Sequence, residues 1–380
     1  MQVDPQPSSP LLHISSLRCH LLVVPVDEPV RNSFRVLTER TALLIEVTDT
    51  DGVVGWGEVW SNYPPGGARH RATLLREVMA PLLEGQRFGS PSEAFAMLER
   101  SLRVPALQCG EPGPFAQVTA GVDIALWDLA ARKLDMPLWK WLGGVAEVPV
   151  YASGIGPQQP QRLAERALAQ GHRAVKLKVG FGSDVDLQNL RALRGLLGSG
   201  EIMVDANQRW TAEQAVEVAQ VIAGEQPYWI EEPVPADEAL PVWQALARQS
   251  PVALAAGENL RGLNTFAAYV ASGALRAIQP DPGKWGGFSG GLQVARRARA
   301  AGVQFCPHWL GGGIGLMAAL QLLSAAGGEG WGEVDINGNA LRDEFLCAGF
   351  AVRDGRFRLG DAPGLGVVPE AAMLARFAAG

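Results

Sequence analysis

Residues 174–208 read AVKLKVGFGSDVDLQNLRALRGLLGSGEIMVDANQ: a short apolar strand, a helix-length segment and a second short strand. Side chains alternate across a strand, so residues two apart share a face. Val175, Leu177 and Val179 lie on one face of the first strand, with Lys176 and Lys178 on the other. In the second strand Ile202 and Val204 face one way, Asp205 and Asn207 the other. The apolar face must meet helices, which leaves the ionisable face pointing into a closed barrel.

The same unit recurs along the chain. PVYASG (149–154), WIEEPV (229–234), ALAAGEN (253–259), AIQPDPGK (277–284), VQFCPHW (303–309) and WGEVD (331–335) are further short strands. All of them follow at intervals of roughly 24–28 residues, which suits βα units with parallel strands. Eight such units predict an α/β fold, a modified (β/α)8 TIM barrel. An open doubly wound sheet is the alternative, but no glycine-rich dinucleotide fingerprint follows the first strand.

Upstream, residues 1–130 read as an α+β capping domain. Strand patterns cover 14–26, 41–47 and 53–59, and ALLIEVTDTDGVVGWGEV (42–59) is a hairpin signal around an Asp-Gly turn. Helical stretches follow near 68–83, 91–102 and 114–134, with Pro137 and Gly143-Gly144 marking the exits. The barrel is expected over 131–350, and residues 351–380 as a return over the barrel or onto the capping domain.

A chain of 380 residues exceeds one ordinary domain. Its net charge of −6, without a basic stretch, argues against nucleic acid as a partner. Cys19, Cys109, Cys306 and Cys347 show no short spacing, which argues against a zinc ribbon or disulfide framework and fits a reducing compartment. The opening MQVDPQPSSP lacks the regions of a signal peptide, and no apolar run approaches the roughly 18 residues of a membrane span. A cytoplasmic protein without a membrane partner is expected, assembled as a homo-oligomer.

The polar strand faces carry the chemistry. Asp205, Glu231 and Glu258 end three consecutive strands, where they repel one another unless a cation neutralises them. An all-oxygen set selects a hard metal, Mg²⁺ first and Mn²⁺ second. A salt-bridge network with the two lysines is the alternative. Glu232 points the opposite way and reads as structural. Lys176 and Lys178, on one strand face and close to a metal, disfavour each other's charge, which predicts a lysine pKa lowered toward the range of a general base. His308 stands at a strand end, and Asp281, one strand earlier, is placed to orient it and raise its basicity; a histidine bonded to backbone is the alternative. Glu333 closes the set on the last strand.

Together these motifs resemble the mandelate racemase branch of the enolase superfamily. The resemblance rests on GWGEV (55–59), GVDIALWDLAARKLDMPLWKWLGG (121–144), then KLK, VDANQ, IEEP, GEN, PDPGKWGG, PH and GEVD in order, and it covers nearly the whole chain. It implies Mg²⁺ on Asp205, Glu231 and Glu258, with Lys178 as one acid/base group and Lys176 beside it on the substrate carboxylate. It implies His308 with Asp281 as the opposing acid/base group, and a protonated Glu333 bonding the carboxylate as it gains enolate character. Asn207, Lys284 and Ser153 match supporting positions at the substrate. His308 directly follows Pro307 and runs into the glycine-rich WLGGGIG, a departure from the racemase pattern.

The loop DEPVRNSFRV (27–36), with Arg31, resembles the family's substrate-capping segment, and residues 60–65, with Tyr63, are expected to close over the barrel beside it. Its polar groups suit a sugar acid, so Mg²⁺-dependent dehydration of a small carboxylate substrate to a 2-keto-3-deoxy acid is expected. A racemase or epimerase is the second reading and a cycloisomerase, using Lys178 and Lys284, the third. A barrel that binds acid sugars without turnover is the non-enzymatic alternative.

Overall fold

The computed structural model describes residues 9–31, 36–346 and 350–379. Strands β1 (Leu12–Arg31), β2 (Val36–Asp49) and β3 (Val54–Val59) form an antiparallel sheet, with β4 (Arg87–Phe88) on the other edge of β1. The Asp-Gly hairpin forms as expected: Asp49 N–H bonds Val53 O, and Gly52 N–H returns to Asp49 O. The β1–β2 ladder runs beyond its apolar pattern, because an irregularity between Pro25 and Val30 lets pairing resume past Pro25.

The helix Pro112–Lys133 lies across this sheet. Its backbone rides so close to β3 that a Cβ on Gly57 would strike Gly121 O and come within 2.8 Å of Ala125 N. The glycines of GWGEV are therefore packing residues. Helix Pro91–Gln108 continues past the expected end, with Ser90 capping its start and Pro105 accommodated inside.

The second layer is the barrel. Its strands are β5 (Glu147–Ile155), β6 (Ala174–Lys178), β7 (Glu201–Asp205), β8 (Ile230–Glu231), β9 (Leu254–Ala256), β10 (Ala277–Ile278), β11 (Gln304–Phe305) and β12 (Gly332–Asp335). β5 to β11 pair in parallel sequence and β12 pairs with β5; among the described residues no ladder joins β12 to β11, and Trp331 N–H on Cys306 Sγ bridges that seam. The tail adds an antiparallel hairpin, β13 (Val352–Arg353) and β14 (Arg356–Arg358), against the start of β5. It ends with Ala379 N–H on Leu21 O in the capping sheet.

The strand parity read from the sequence is the one observed. Val175, Leu177, Ile202, Val204, Ile230 and Ile278 join the large apolar core between strands and helices. A separate cluster of Tyr151, Ala174, Met203, Trp229, Ala255, Ala277 and Cys306 fills the barrel, with Trp331 packed against it. This plug is the floor of the site. Two residues along each strand from Tyr151, Ala174, Met203, Trp229, Ala277, Cys306 and Trp331 stand Ser153, Lys176, Asp205, Glu231, Gln279, His308 and Glu333. Among the described residues, Cys19, Cys109 and Cys306 are free thiols, and no helix is long and apolar enough to cross a membrane.

Candidate active site

On the β6–β7–β8 side, the ladder places Lys178 beside Asp205 and Asp205 beside Glu231. Lys178 Nζ lies 2.5 Å from Asp205 Oδ2. Lys176, fully buried, has its Nζ 2.6 Å from Glu231 Oε1, 2.9 Å from Glu333 Oε1 and 3.7 Å from Asp205 Oδ2. The same ammonium stands 5.3 Å from the centroid of Tyr151 in the plug, a cation–π contact that stiffens its position. Ser153 donates its hydroxyl hydrogen to Glu333 Oε1. Asn207, at φ +47°, donates from N and Nδ2 to Asp205 at 2.8 and 3.2 Å.

Across the mouth, Glu258 lies two residues beyond the end of β9, outside strand alternation. Gly257 makes the turn at φ +144°, where a Cβ would lie 2.6 Å from Gln279 N. Only glycine fits there, and that twist brings Glu258 to the mouth. His308 Nε2 is 2.6 Å from Glu258 Oε2, and His308 Nδ1 is 2.7 Å from Asp281 Oδ2. Asp281 is itself held through Oδ1 by the N–H groups of Gly283 and Lys284. The departure around Pro307 therefore leaves the Asp281–His308 pair in hydrogen-bonding contact. Lys284 Nζ is 3.2 Å from Glu258 Oε1 and 4.5 Å from the Trp60 ring centroid.

Residues 60–63 reach this rim from the capping domain. Trp60 N–H bonds Gly283 O at 3.2 Å, Asn62 Nδ2 bonds Leu310 O at 2.6 Å, and the Tyr63 ring is 5.7 Å from that of Trp60. The side chain of Arg31 and residues 32–35 lie outside the described residues.

Set by the protein's own groups, the electrostatics run the other way from two expectations. Burial, the largest influence, and Lys176 push the Lys178 pKa down, but Asp205 and Glu231 together turn the net direction up. Lys176 likewise rises well above its ordinary value, because Glu231 and Glu333 overcome its burial. The spacing of two lysines was visible in the sequence, whereas the carboxylates facing them were not weighed against it. Glu333, expected protonated, is held below the usual carboxylate range: burial raises it, but Lys176 and His308 lower it further. Burial pushes Glu231 up to about 7, with Lys176 opposing and Asp205, Glu333 and Glu258 reinforcing. His308 is raised well above its ordinary value, since Glu258, Glu333 and Asp281 overcome the effect of burial.

One residue at the site was missed. Gln279 donates from Nε2 to Glu231 Oε2 at 2.6 Å, and its shared face with Asp281 was the available signal. Glu232 has its carboxylate bridged at 2.9 Å by Asn259 Nδ2, which also reaches Glu258 Oε1 at 3.0 Å. Burial first, and Glu258 second, push its carboxyl up to about 8, so at neutral pH it is largely protonated and adds little charge beside Glu258.

Among the described residues, no three His, Cys, Asp or Glu side chains are gathered for a metal ion. Asp205, Glu231 and Glu258 are instead capped one by one, by Lys178, Lys176 and His308, which is the geometry of the salt-bridge alternative. The charge balance nonetheless fits a cation. Leaving aside the largely protonated Glu232, five acidic side chains, Asp205, Glu231, Glu258, Asp281 and Glu333, face three lysines and one imidazole. Asn207 Oδ1, Gln279 Oε1 and Glu333 Oε2 are buried oxygens without a hydrogen-bond partner. An oxygen-rich, cation-poor mouth of this kind suits a hard divalent ion.

Residues 18–143 match the mandelate racemase/muconate lactonizing enzyme N-terminal domain, and residues 159–373 match the enolase C-terminal domain-like family. A mandelate racemase/muconate lactonizing enzyme structure from Bordetella bronchiseptica is 47% identical, with a TM-score of 0.90 over 97% of this chain and 99% of that one. A racemase from Streptomyces coelicolor, solved with bound magnesium, is 29% identical with a TM-score of 0.87 over 96% of this chain and all of that one (100%). D-galactarolactone cycloisomerase of Agrobacterium fabrum is 30% identical over 94% of this chain and 96% of its own length. Arabinonate dehydratase of Saccharolobus solfataricus is 28% identical over 84% and 86% respectively.

Proposed function

Because the chain belongs to the mandelate racemase/muconate lactonizing enzyme family of the enolase superfamily, we propose that it takes the proton beside the carboxylate of a sugar-derived acid and eliminates the β-hydroxyl as water. The observation that carries this reading is the pair of independent bases at one mouth. Lys178 comes from β6, and His308, oriented by Asp281, follows β11.

Asp205, Glu231 and Glu258 would hold Mg²⁺, with Mn²⁺ as a substitute of the same ligand preference. When bound, that ion supplies Lewis-acid charge for the second oxyanion of the enediolate. Were Asp205 held as a ligand, Lys178 would lose the ion pair that raises its pKa and could accept a proton. Lys176, anchored over Tyr151, faces the substrate carboxylate, and Glu333, bonded by Ser153, contacts the same group. Asn207 and Lys284 border the substrate from the β7 and β10 sides, and Tyr63 borders it with Trp60. Arg31, from the capping segment, is proposed to select among sugar acids.

One base removes the α-proton, and the electron pair forms the enediolate. That pair then forms the Cα–Cβ double bond as the Cβ–O bond breaks. The departing oxygen takes a proton from the other group and leaves as water. The enol left behind tautomerises to a 2-keto-3-deoxy acid. Preorganised charge at the developing oxyanions lowers the barrier to the first transfer.

The likeness to a D-galactarolactone cycloisomerase supports a second reading, in which the expelled β-oxygen belongs to a ring and the product is an isomer. Reprotonation of the same intermediate from the opposite base would give the racemase or epimerase reaction. A library of sugar acids and their lactones, incubated with the protein and Mg²⁺, separates these outcomes. A 2-keto acid at reduced mass supports dehydration, and one at unchanged mass supports cycloisomerisation. An inverted acid supports epimerisation. No product and no α-proton exchange from any acid would refute the reading.

A further inference from the structure

We propose that Glu58, the acid of GWGEV in the capping domain, is a positioning residue for His308; the inference rests on the reading of His308 as a base. Glu58 ends in a buried cleft between β3 and the barrel, 1% exposed. Its Oε1 accepts from Gly312 N–H at 2.6 Å and its Oε2 from Gly315 N–H at 2.9 Å. These N–H groups open the helix Gly313–Ala325, whose own sequence provides no side-chain cap. A helix start carries unsatisfied donors and partial positive charge, and a carboxylate is the strongest acceptor for both. Here the cap comes from another domain, 254 residues away in sequence from Gly312.

Only Trp309, Leu310 and Gly311 separate His308 from that clamp, and each is tied down. The Trp309 ring fills the space a Cβ would need at Gly283, at 2.5 Å, and at Gly315, while its Nε1 donates to Gly312 O at 2.9 Å. Leu310 O accepts from Asn62, and Gly311 O accepts from Asn339 Nδ2 at 2.9 Å. Gly283 follows Asp281, the partner of His308, so the knot touches both members of the pair. Three anchors from the capping domain, Glu58, Trp60 and Asn62, therefore converge on the loops that carry Asp281 and His308. Glu58 is the ionisable one, and both of its oxygens accept from backbone donors at the helix start. Removing it frees the loop, and the imidazole swings out of line with the α-carbon. A misplacement of this kind affects transfer through His308 and not through Lys178, which is held by β6 and β7.

Two variants break the same contact from opposite sides. Glu58→Gln removes one acceptor, and Gly312→Ala puts a Cβ within 2.7 Å of Glu58 Oε1 while leaving the carboxylate in place. Either variant suffices, so a Glu58→Gln chain that fails to fold leaves Gly312→Ala to decide. Hydrogen exchange over residues 309–316 and carbethoxylation of His308, both followed by mass spectrometry, report the loop without requiring any turnover. His172, 2% exposed beneath the barrel, is the internal control for general loosening. Both readouts should accelerate about tenfold in each folded variant with His172 unchanged, as expected for loss of a buried hydrogen bond that opens one loop. In α-proton exchange, the configuration served by His308 should slow about tenfold while that served by Lys178 stays within about twofold. Wild-type rates at 309–316 and His308, or an equal rise at His172, overturn the proposal. If neither base exchanges a proton in the wild type, the functional reading fails, while the labelling result still decides the positioning role.

Discussion

His308 Nε2 and Glu258 Oε2 are hydrogen-bonded at 2.6 Å, so a proposed base and a proposed metal ligand hold one another directly. A divalent ion on Glu258 has to compete with that contact. Mg²⁺ affinity should therefore tighten in His308→Asn, which removes the competing cation. In Asp205→Asn it should weaken by more than the roughly 10–100-fold that loss of an outer-shell partner costs. Titration calorimetry reads both. Equal affinities in wild type and both variants would remove these carboxylates from the metal site.

Asp281 acts through the histidine. Its Oδ2 fixes His308 Nδ1 at 2.7 Å, and its Oδ1 is held by two backbone N–H groups, so the carboxylate cannot easily turn away. Asp281→Asn replaces an acceptor with an amide that favours the wrong tautomer. Turnover should fall about 100-fold or more, with KM little changed. A KM effect with intact kcat would make Asp281 a substrate contact instead.

Arg40 and Asp335 join the capping sheet to the last barrel strand, 2.5 Å apart and each 5% exposed. Arg40→Met leaves Asp335 buried with only Arg342 nearby, and should destabilise by about 3–5 kcal/mol in urea unfolding. Adding Asp335→Asn should recover part of that loss. Recovery is the diagnostic outcome, since two independent losses would simply add.

Much of this architecture was legible in the sequence because strand parity has only two outcomes. Lys176, Asp205, Glu231, His308 and Glu333 were put on the inward face by alternation, and they stand above the plug. Glu258 reached the mouth for a reason alternation does not contain, the turn at Gly257. Gln279 was overlooked although it shares the parity of Asp281, because an amide carries no charge to draw notice. Glu58 was quoted only as part of a motif, since its partners, Gly312 and Gly315, are distant backbone groups. The upward lysine pKa direction set by the protein's own groups has a related cause. Two like charges on one strand are local, whereas the opposing carboxylates come from β7, β8 and β12.

The acid sensitivity of the fold has a specific source in His172. Burial first, and Arg342 second, push its pKa down from 6.5 to about 4. The unfolded chain binds this proton near 6.5 and the folded chain does not. The contribution is therefore complete above about 6.5, falls as pH drops toward 4, and is flat below. Across that window the loss is about 3 kcal/mol. Glu58 and Asp123, both raised to about 7 chiefly by burial, act in the opposite sense, losing stability as pH rises toward 7. Comparison with His172→Gln isolates the histidine: on going from pH 6.5 to 4, the wild type should lose stability relative to the variant, whatever the slope the two share. Identical slopes would mean that His172 is not buried neutral.

The most direct test of two bases serving one α-carbon is α-proton exchange in D₂O with Mg²⁺ present, measured on each epimer of an accepted acid. The wild type should exchange both. Lys178→Ala should abolish exchange for one configuration and His308→Asn for the other, with each variant retaining its remaining partner. A His308→Asn enzyme that exchanges and turns over both epimers at the wild-type rate contradicts the account.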